Sequence, residues 1–151
     1  MGGRMTVRKG TIQDIEAIIE MAREFWKHTA YDEPYDPETV DIMAESCIDH
    51  DMMSVLEING EVQGFACGVV GPLLGNRHVK SGTEIAWWVN QAHRRGSSGI
   101  RLLDHLECLA KDQGVKYWNM IYMLSSMPKE IRAIYEARGY QEVETAFMKV
   151  L

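Results

Sequence analysis

The chain has 151 residues, of which 46% are hydrophobic and 25% charged, and its formal net charge is −6 at pH 7. This length and composition are typical of one globular domain and exclude a largely disordered chain. No Lys/Arg cluster indicates a nucleic-acid-binding face, and no apolar stretch is long enough to span a bilayer.

The cysteine pattern bears on the compartment and on metals. Cys47, Cys67 and Cys108 are widely separated in the sequence. An odd count without paired spacing predicts buried free thiols in a reducing compartment, and therefore a cytoplasmic protein. Because no Cys or His pair has ligand spacing, we expect no metal site.

The apolar spacing and the turn residues divide the chain into alternating elements. Residues 1–5 are expected to be a disordered lead-in to a single domain. The first predicted elements are a strand at Thr6–Lys9, a helix at 12–28 and a second helix from Asp36 or Pro37 to Asp49. Strands follow at Met53–Ile58, Val62–Val70 and Glu84–Asn90, and then a helix that begins at Ile100 and ends at Gly114. The last predicted elements are a strand at Val115–Met123, a helix at Lys129–Arg138 and one or two strands within Gln141–Val150.

Local signals support several of these boundaries. Thr11 with Asp14 three residues later has the form of a helix cap, and Asn59-Gly60 is a strong two-residue hairpin turn. The segment 73–82 is predicted to be a loop. One face of the Val62–Val70 strand carries only Gly64, Ala66 and Gly68, so either a helix or a ligand must pack closely there.

This order of elements predicts an α+β fold with a mixed sheet of about six to seven strands flanked by four helices. The hairpin makes part of the sheet antiparallel, and the later β-α-β segment makes part of it parallel. A doubly wound dinucleotide-binding sheet is excluded, because no Gly-x-Gly-x-x-Gly follows an early strand.

The most informative stretch is Thr83–Leu103, an apolar strand followed by an Arg/Gly/Ser loop and a helix start. Helix N-termini carry unpaired N–H groups and partial positive charge, so this stretch predicts an anion site. Glu84, a carboxylate in an apolar strand, is expected to share one face with Ala86 and Trp88. Glu84 is either buried, with a raised pKa suited to a base, or lies at the solvated end of the strand.

The loop from Tyr31 to Asp36 combines two tyrosines with acidic residues. It is either part of a pocket for a cationic substrate or a solvated connector. The acidic surface as a whole weakly favours cationic partners such as amines.

Three features together resemble the GNAT superfamily of acetyl-CoA-dependent N-acyltransferases, and most closely its small bacteriophage-encoded members. These features are the order of the elements, Arg94-x-x-Ser97-x-Gly99 directly after a strand, and Tyr135-Glu136-x-x-Gly139-Tyr140 at the end of the last helix. Ser97 stands where the family has glycine, and Pro128 stands where many members have a cofactor-contacting asparagine.

The resemblance implies acetyl-CoA as co-substrate and a V-shaped splay between the two central strands. The pyrophosphate would bind at Arg94, Arg95, Gly96, Ser97, Ser98, Gly99 and Ile100, and pantetheine at Trp88 and Val89. Tyr135 would protonate the leaving thiolate, and Glu84 is our candidate for the base.

The predicted function is therefore acetyl transfer to a primary amine by direct attack in a ternary complex. The acceptor is a small-molecule amine or a protein amine, with no nucleic acid or membrane involved, and a homodimer is a candidate assembly because strand edges are exposed. The departures at Ser97 and Pro128 leave open the alternative of a non-catalytic GNAT-fold protein that binds CoA or a protein partner.

Overall fold

The computed structural model describes residues 3–151, so only residues 1 and 2 of the predicted lead-in at residues 1–5 lie outside this range. Met5 already belongs to a strand, contrary to that prediction. The chain divides into two compact units, one reaching to Ile121 and the other spanning Tyr122–Leu151. The first unit contains strands β1 (Met5–Lys9), β2 (Met53–Ile58), β3 (Glu61–Leu73), β4 (Asn76–Val89) and β5 (Val115–Asn119) and helices α1 (Ile15–Trp26), α2 (Pro37–Asp49) and α3 (Ser98–Asp112). The second unit contains helix α4 (Pro128–Ala137).

The strands of the first unit form one mixed sheet in the order β1-β2-β3-β4-β5. All neighbouring strands are antiparallel except β4 and β5, which run parallel. The predicted α+β class with a mixed sheet is confirmed. The predicted six to seven strands are wrong, because residues 3–151 form a sheet of five strands.

The missing strands were expected in Gln141–Val150, and no strand forms there. The apolar residues of this segment are exposed, and Phe147 has 95% of its surface accessible. A strand needs a partner edge and an apolar face to bury. A sequence pattern alone cannot supply that partner, so alternation at the end of the chain predicted a strand that does not exist.

The segment 73–82 was predicted to be a loop but forms the β3–β4 hairpin. Its turn is at Leu74 and Gly75, and Gly75 has φ +89°. The return strand pairs Lys80 with Pro72 of β3 and with Val115 of β5. Pairing on both sides therefore overrides the glycines and charges that are typical of a loop.

Helix and turn signals near the N-terminus hold. Thr11 and Asp14 form a capping box, although the chain passes through a short 3₁₀ turn before α1 begins. The carboxylate of Asp36 accepts a hydrogen bond from the N–H of Glu38 at the start of α2. Asn59 and Gly60 adopt φ values of 53° and 83°, as the predicted two-residue turn requires.

The sheet has a hydrophobic cluster on each face. One cluster joins α1 and α2 to the sheet through residues such as Ile18, Ala44 and Phe65, and the other joins α3 through Ala66 and Leu102. Cys47 and Cys67 are buried, as predicted, but Cys108 is exposed because it lies on the outer side of α3.

The bare face of β3 is covered by protein. A methyl group on Gly64 would lie 3.1 Å from Leu102 of α3. A methyl group on Gly68 would lie 2.6 Å from the Trp118 ring of β5. The close packing predicted from the glycines is therefore confirmed, and its occupants are a helix and an indole.

Candidate functional site

A row of unpaired N–H groups lies at the start of α3, directly after β4. The first helical hydrogen bond runs from the N–H of Arg101 to the carbonyl of Ser97, at 2.9 Å. Within residues 3–151, no hydrogen bond engages the N–H groups of Arg95–Ile100. Consecutive free N–H groups at a helix N-terminus bind anions, because the helix dipole adds to their partial positive charge.

The loop conformation explains which small residues are needed. Gly96 has φ +88°, which a residue with a side chain adopts only at a cost. Ser97, at the family's glycine position, has φ −97° and is exposed, with no side-chain hydrogen bond to the helix. A serine therefore fits there without strain, and its hydroxyl group faces solvent. The Ser98 hydroxyl is instead buried against the Met5 sulfur at 3.3 Å.

Arg94 ties this loop to the end of β4. Its Nε donates a 2.6 Å hydrogen bond to the carbonyl oxygen of Val89, and its guanidinium lies 4.3 Å from the centroid of the Trp88 ring. Burial lowers the pKa of Arg94. The structure thus brings together the predicted residues Trp88, Val89 and Arg94. No pattern of residues predicts this packing, since it depends on how the loop folds back.

The pairing between β4 and β5 ends well before this loop. β5 pairs in parallel with Lys80–Thr83 and stops at Asn119, whose side-chain amide donates to the carbonyl of Gly82 at 3.0 Å. Among the described residues, β5 does not pair with β4 from Glu84 to Val89. Because β5 ends at this point, it leaves the edge of β4 from Glu84 to Val89 uncovered.

A β-bulge in β4 changes the face on which Glu84 lies. Cys67 pairs with Ala86 and Gly68 pairs with Glu84, so Ile85 is an extra residue on β4. Because paired residues point to the same side of a sheet, Glu84 lies on the face of Gly68. The prediction that Glu84 shares a face with Ala86 and Trp88 is therefore wrong, because strict alternation fails at the bulge.

Glu84 is buried, with 5% of its surface accessible. Its carboxylate accepts a hydrogen bond from the N–H of Ile121, and its Oε2 atom has no hydrogen-bond partner among residues 3–151. Burial raises the pKa of Glu84 from an ordinary value of 4.5 to about 8, against the lowering effect of that one hydrogen bond. The alternative of a solvated strand end is excluded, and the carboxyl group titrates in the range that suits a general base.

In the second unit, Tyr135 is held in place by the end of α4. It is buried, its ring lies 5.6 Å from that of Tyr140, and its carbonyl accepts the N–H of Tyr140 at 3.0 Å. Gly139, with φ +87°, makes this reversal of the chain. Pro128 is the first residue of α4, where a missing N–H costs no helical hydrogen bond.

The loop from Tyr31 to Asp36 is packed through its aromatic rings. Tyr31 stacks on Trp26, the indole of Trp26 donates to the carbonyl of Glu33 at 2.8 Å, and the hydroxyl of Tyr35 donates to the carbonyl of Ile19 at 2.7 Å. The tyrosines therefore help to hold the loop, while its acidic side chains are exposed.

Among the described residues there is neither a metal-ligand cluster nor a membrane-spanning helix. In the part of the chain that the structure describes, no group of three or more His, Cys, Asp or Glu side chains is placed to hold a metal ion. No helix among the described residues combines the length and hydrophobicity needed to cross a membrane.

Comparison with protein-family models identifies the chain. Residues 15–140 match the model of the acetyltransferase (GNAT) family. The chain belongs to this family. The cradle of N–H groups after β4 and the tyrosine of α4 thus lie inside the matched GNAT region. No sequence match to a curated protein was found.

Solved structures show the same GNAT fold at low sequence identity. The aminoglycoside N-acetyltransferase AAC(6')-Iy in complex with CoA has a TM-score of 0.78 and 13% identity, covering 100% of this chain and 97% of that one. A predicted acetyltransferase from Clostridium acetobutylicum with acetyl-CoA has a TM-score of 0.76 and 15% identity, covering 97% and 96%. Glucosamine-6-phosphate N-acetyltransferase from Arabidopsis thaliana has a TM-score of 0.73 and 18% identity, covering 97% and 98%.

Proposed function

We propose that this protein is an N-acetyltransferase that moves an acetyl group from acetyl-CoA to a primary amine. The observation that carries the proposal is the carboxyl group of Glu84, which is buried, has an unpartnered oxygen in the described structure, and has a pKa of about 8. A fold that only binds CoA has no need of a buried titratable group, which costs stability.

The co-substrate site of the proposal is the start of α3. The N–H groups of Arg95–Ile100 suit the pyrophosphate of CoA, because they are consecutive, unpaired and at the positive end of a helix. The open edge of β4 at Trp88 and Val89 would take the pantetheine amides. Arg94 holds this edge against the loop through its bond to Val89. Two of the solved relatives are complexes with CoA or acetyl-CoA.

The chemistry needs one proton removed from the amine and one delivered to the sulfur. Glu84, in its ionised form, takes the amine proton directly or through water, so that the neutral amine attacks the thioester in a ternary complex. Tyr135 gives its hydroxyl proton to the departing thiolate of CoA, for which a phenol of similar basicity is suited. No acyl-enzyme forms in this scheme, because the amine itself attacks the acetyl group.

A small-molecule amine is the acceptor class that we favour over a protein amine. The formal charge of −6 attracts cations, and the acidic side chains of the loop from Tyr31 to Asp36 are exposed to solvent. The aminoglycoside and glucosamine-6-phosphate enzymes among the solved relatives are named for small amines. We also propose that the protein is cytoplasmic, forms a homodimer and is related to the small phage-encoded members of the family.

The experiment is acetyl-CoA turnover across a panel of amines, with the released thiol as the readout. On an amine that the wild type acetylates, we expect Glu84→Gln and Tyr135→Phe each to lower kcat by about 10²-fold or more, with little effect on the KM for acetyl-CoA. If neither substitution slows transfer, the assigned roles are wrong.

Pro128 favours a second candidate, a GNAT-fold protein that binds CoA without catalysis. Proline has no N–H to donate and no side-chain amide, so the contact made by asparagine in many members is lost at this position. This candidate predicts CoA binding by calorimetry but no thiol release with any amine of the panel.

A further inference from the structure

Three sulfur atoms meet between α2 and β3, on the sheet face opposite to that of Glu84. The Sδ atom of Met43 lies 3.8 Å from the Sγ atom of Cys47 and 3.8 Å from that of Cys67. The thiol of Cys47 also contacts the carbonyl oxygen of Gly68, next to Cys67, at 3.5 Å. Two thiols that belong to different elements of the fold therefore contact the same methionine sulfur.

The two thiols differ in their access to solvent. Cys67 is 0% exposed, whereas Cys47 is 4% exposed and lines a cavity of about 590 Å³. The same cavity is lined by His50, Arg77 and Lys80. A small polar molecule that enters this cavity therefore meets Cys47 on its wall. The cavity contains none of the residues assigned to acetyl transfer.

The two thiols also differ in their pKa values. A hydrogen bond with Cys67 lowers the pKa of the Cys47 thiol, burial raises it, and the charge of His50 lowers it further. Hydrogen bonding to Cys47, followed by burial, raises the pKa of the Cys67 thiol. Cys47 is therefore the more readily ionised sulfur of the pair, and Cys67 stays a thiol.

We propose that Cys47 and Cys67 form a hydroperoxide-reactive pair that closes reversibly to a disulfide. The Cys47 thiolate attacks the O–O bond of the peroxide, which leaves a sulfenic acid on Cys47 and releases hydroxide. The Cys67 thiol then attacks that sulfur, forms the S–S bond and releases water. Two thiols are oxidised and one peroxide is reduced, and the product links α2 to β3.

To test this proposal, the reduced protein is treated with hydrogen peroxide and then unfolded in an alkylating reagent. The labelled peptides are mapped by mass spectrometry. We expect Cys47 and Cys67 to escape labelling and to appear as one linked peptide pair lighter by two hydrogens, while Cys108 is labelled. Dithiothreitol should restore labelling of both. If Cys47 and Cys67 remain fully labelled while the peroxide is consumed, or oxidise no faster than Cys108, the proposal is wrong.

Two variants separate this pair from general thiol oxidation. Cys108→Ala removes the exposed thiol and should leave formation of the linked peptide unchanged. Cys67→Ala removes the second attack, so a sulfenic acid should accumulate on Cys47 and be trapped by dimedone. A linked peptide that includes Cys108, or dimedone labelling mainly at Cys108, would overturn the assignment.

Discussion

Replacing Glu84 by glutamine removes a buried charge while keeping nearly the same shape. In the folded protein the pKa of Glu84 is about 8, against 4.5 for an ordinary glutamate. Between these pH values the folded state holds a proton that the unfolded state has lost, so wild-type stability falls as the pH rises through this window. The pKa difference corresponds to about 5 kcal/mol in the free energy of unfolding when the window has been fully crossed.

The substitution therefore has a pH signature that does not depend on how well the amide packs. A glutamine at position 84 adds a constant term of about 1 to 3 kcal/mol if its amide lacks partners, and this term does not change with pH. Relative to the wild type, Glu84→Gln should gain about 4 kcal/mol in free energy of unfolding between pH 5 and pH 9. The same variant should lose the rise in kcat/KM near pH 8 that ionisation of the base produces in the wild type.

Urea unfolding followed by tryptophan fluorescence at pH 5, 7 and 9 measures the first effect, and pH profiles of acetyl transfer measure the second. Glu45→Gln, an exposed position on α2, is the matched control and should change stability by less than about 0.5 kcal/mol at each pH. A stability difference for Glu84→Gln that does not vary with pH would refute the burial argument. A gain in stability with full activity would refute only the role as base.

Three further predictions follow from the packing and the cradle. Gly68→Ala should cost about 1 to 3 kcal/mol of stability, because its methyl group would lie 2.6 Å from a carbonyl oxygen and from an indole ring. The control Gly71→Ala should be neutral, because its methyl group meets nothing within 4 Å, and urea unfolding of the two variants measures the difference. Burial raises the pKa of Asp14, but the stronger combined effect of hydrogen bonds from Arg8 and Thr11 lowers it. Asp14→Asn should therefore destabilise the protein by about 1 to 3 kcal/mol at pH 7 and by less as the pH falls below about 4, as measured by urea unfolding across that pH range. Ser97→Glu should weaken CoA binding in calorimetry by about tenfold or more, because it places a negative charge at the phosphate cradle. Ser97→Gly should retain binding, and equal affinities for both variants would argue against the cradle.

Features that depend on neighbours in the sequence could be predicted. The Asn59-Gly60 turn, the Thr11–Asp14 cap and the start of α2 at Pro37 were all recovered, because a few adjacent residues decide such backbone conformations. The N–H row at Arg95–Ile100 was predictable for the same reason, since any helix leaves its first N–H groups unpaired. The sequence left two alternatives for Glu84, a buried carboxylate or a solvated strand end. The apolar residues of its strand favoured the buried alternative, which the structure confirms.

The sequence by itself determined the class of the fold, most element positions and the stretch that forms the cradle, because periodicity and turn chemistry are local. Only the tertiary structure decided which face Glu84 occupies, because the bulge at Ile85 depends on pairing with β3. It also decided that Cys47 and Cys67, far apart in the sequence, contact one methionine, and that the segment after Gln141 has no strand partner. These features depend on surfaces that meet only after the chain has folded, and no local pattern of residues encodes them.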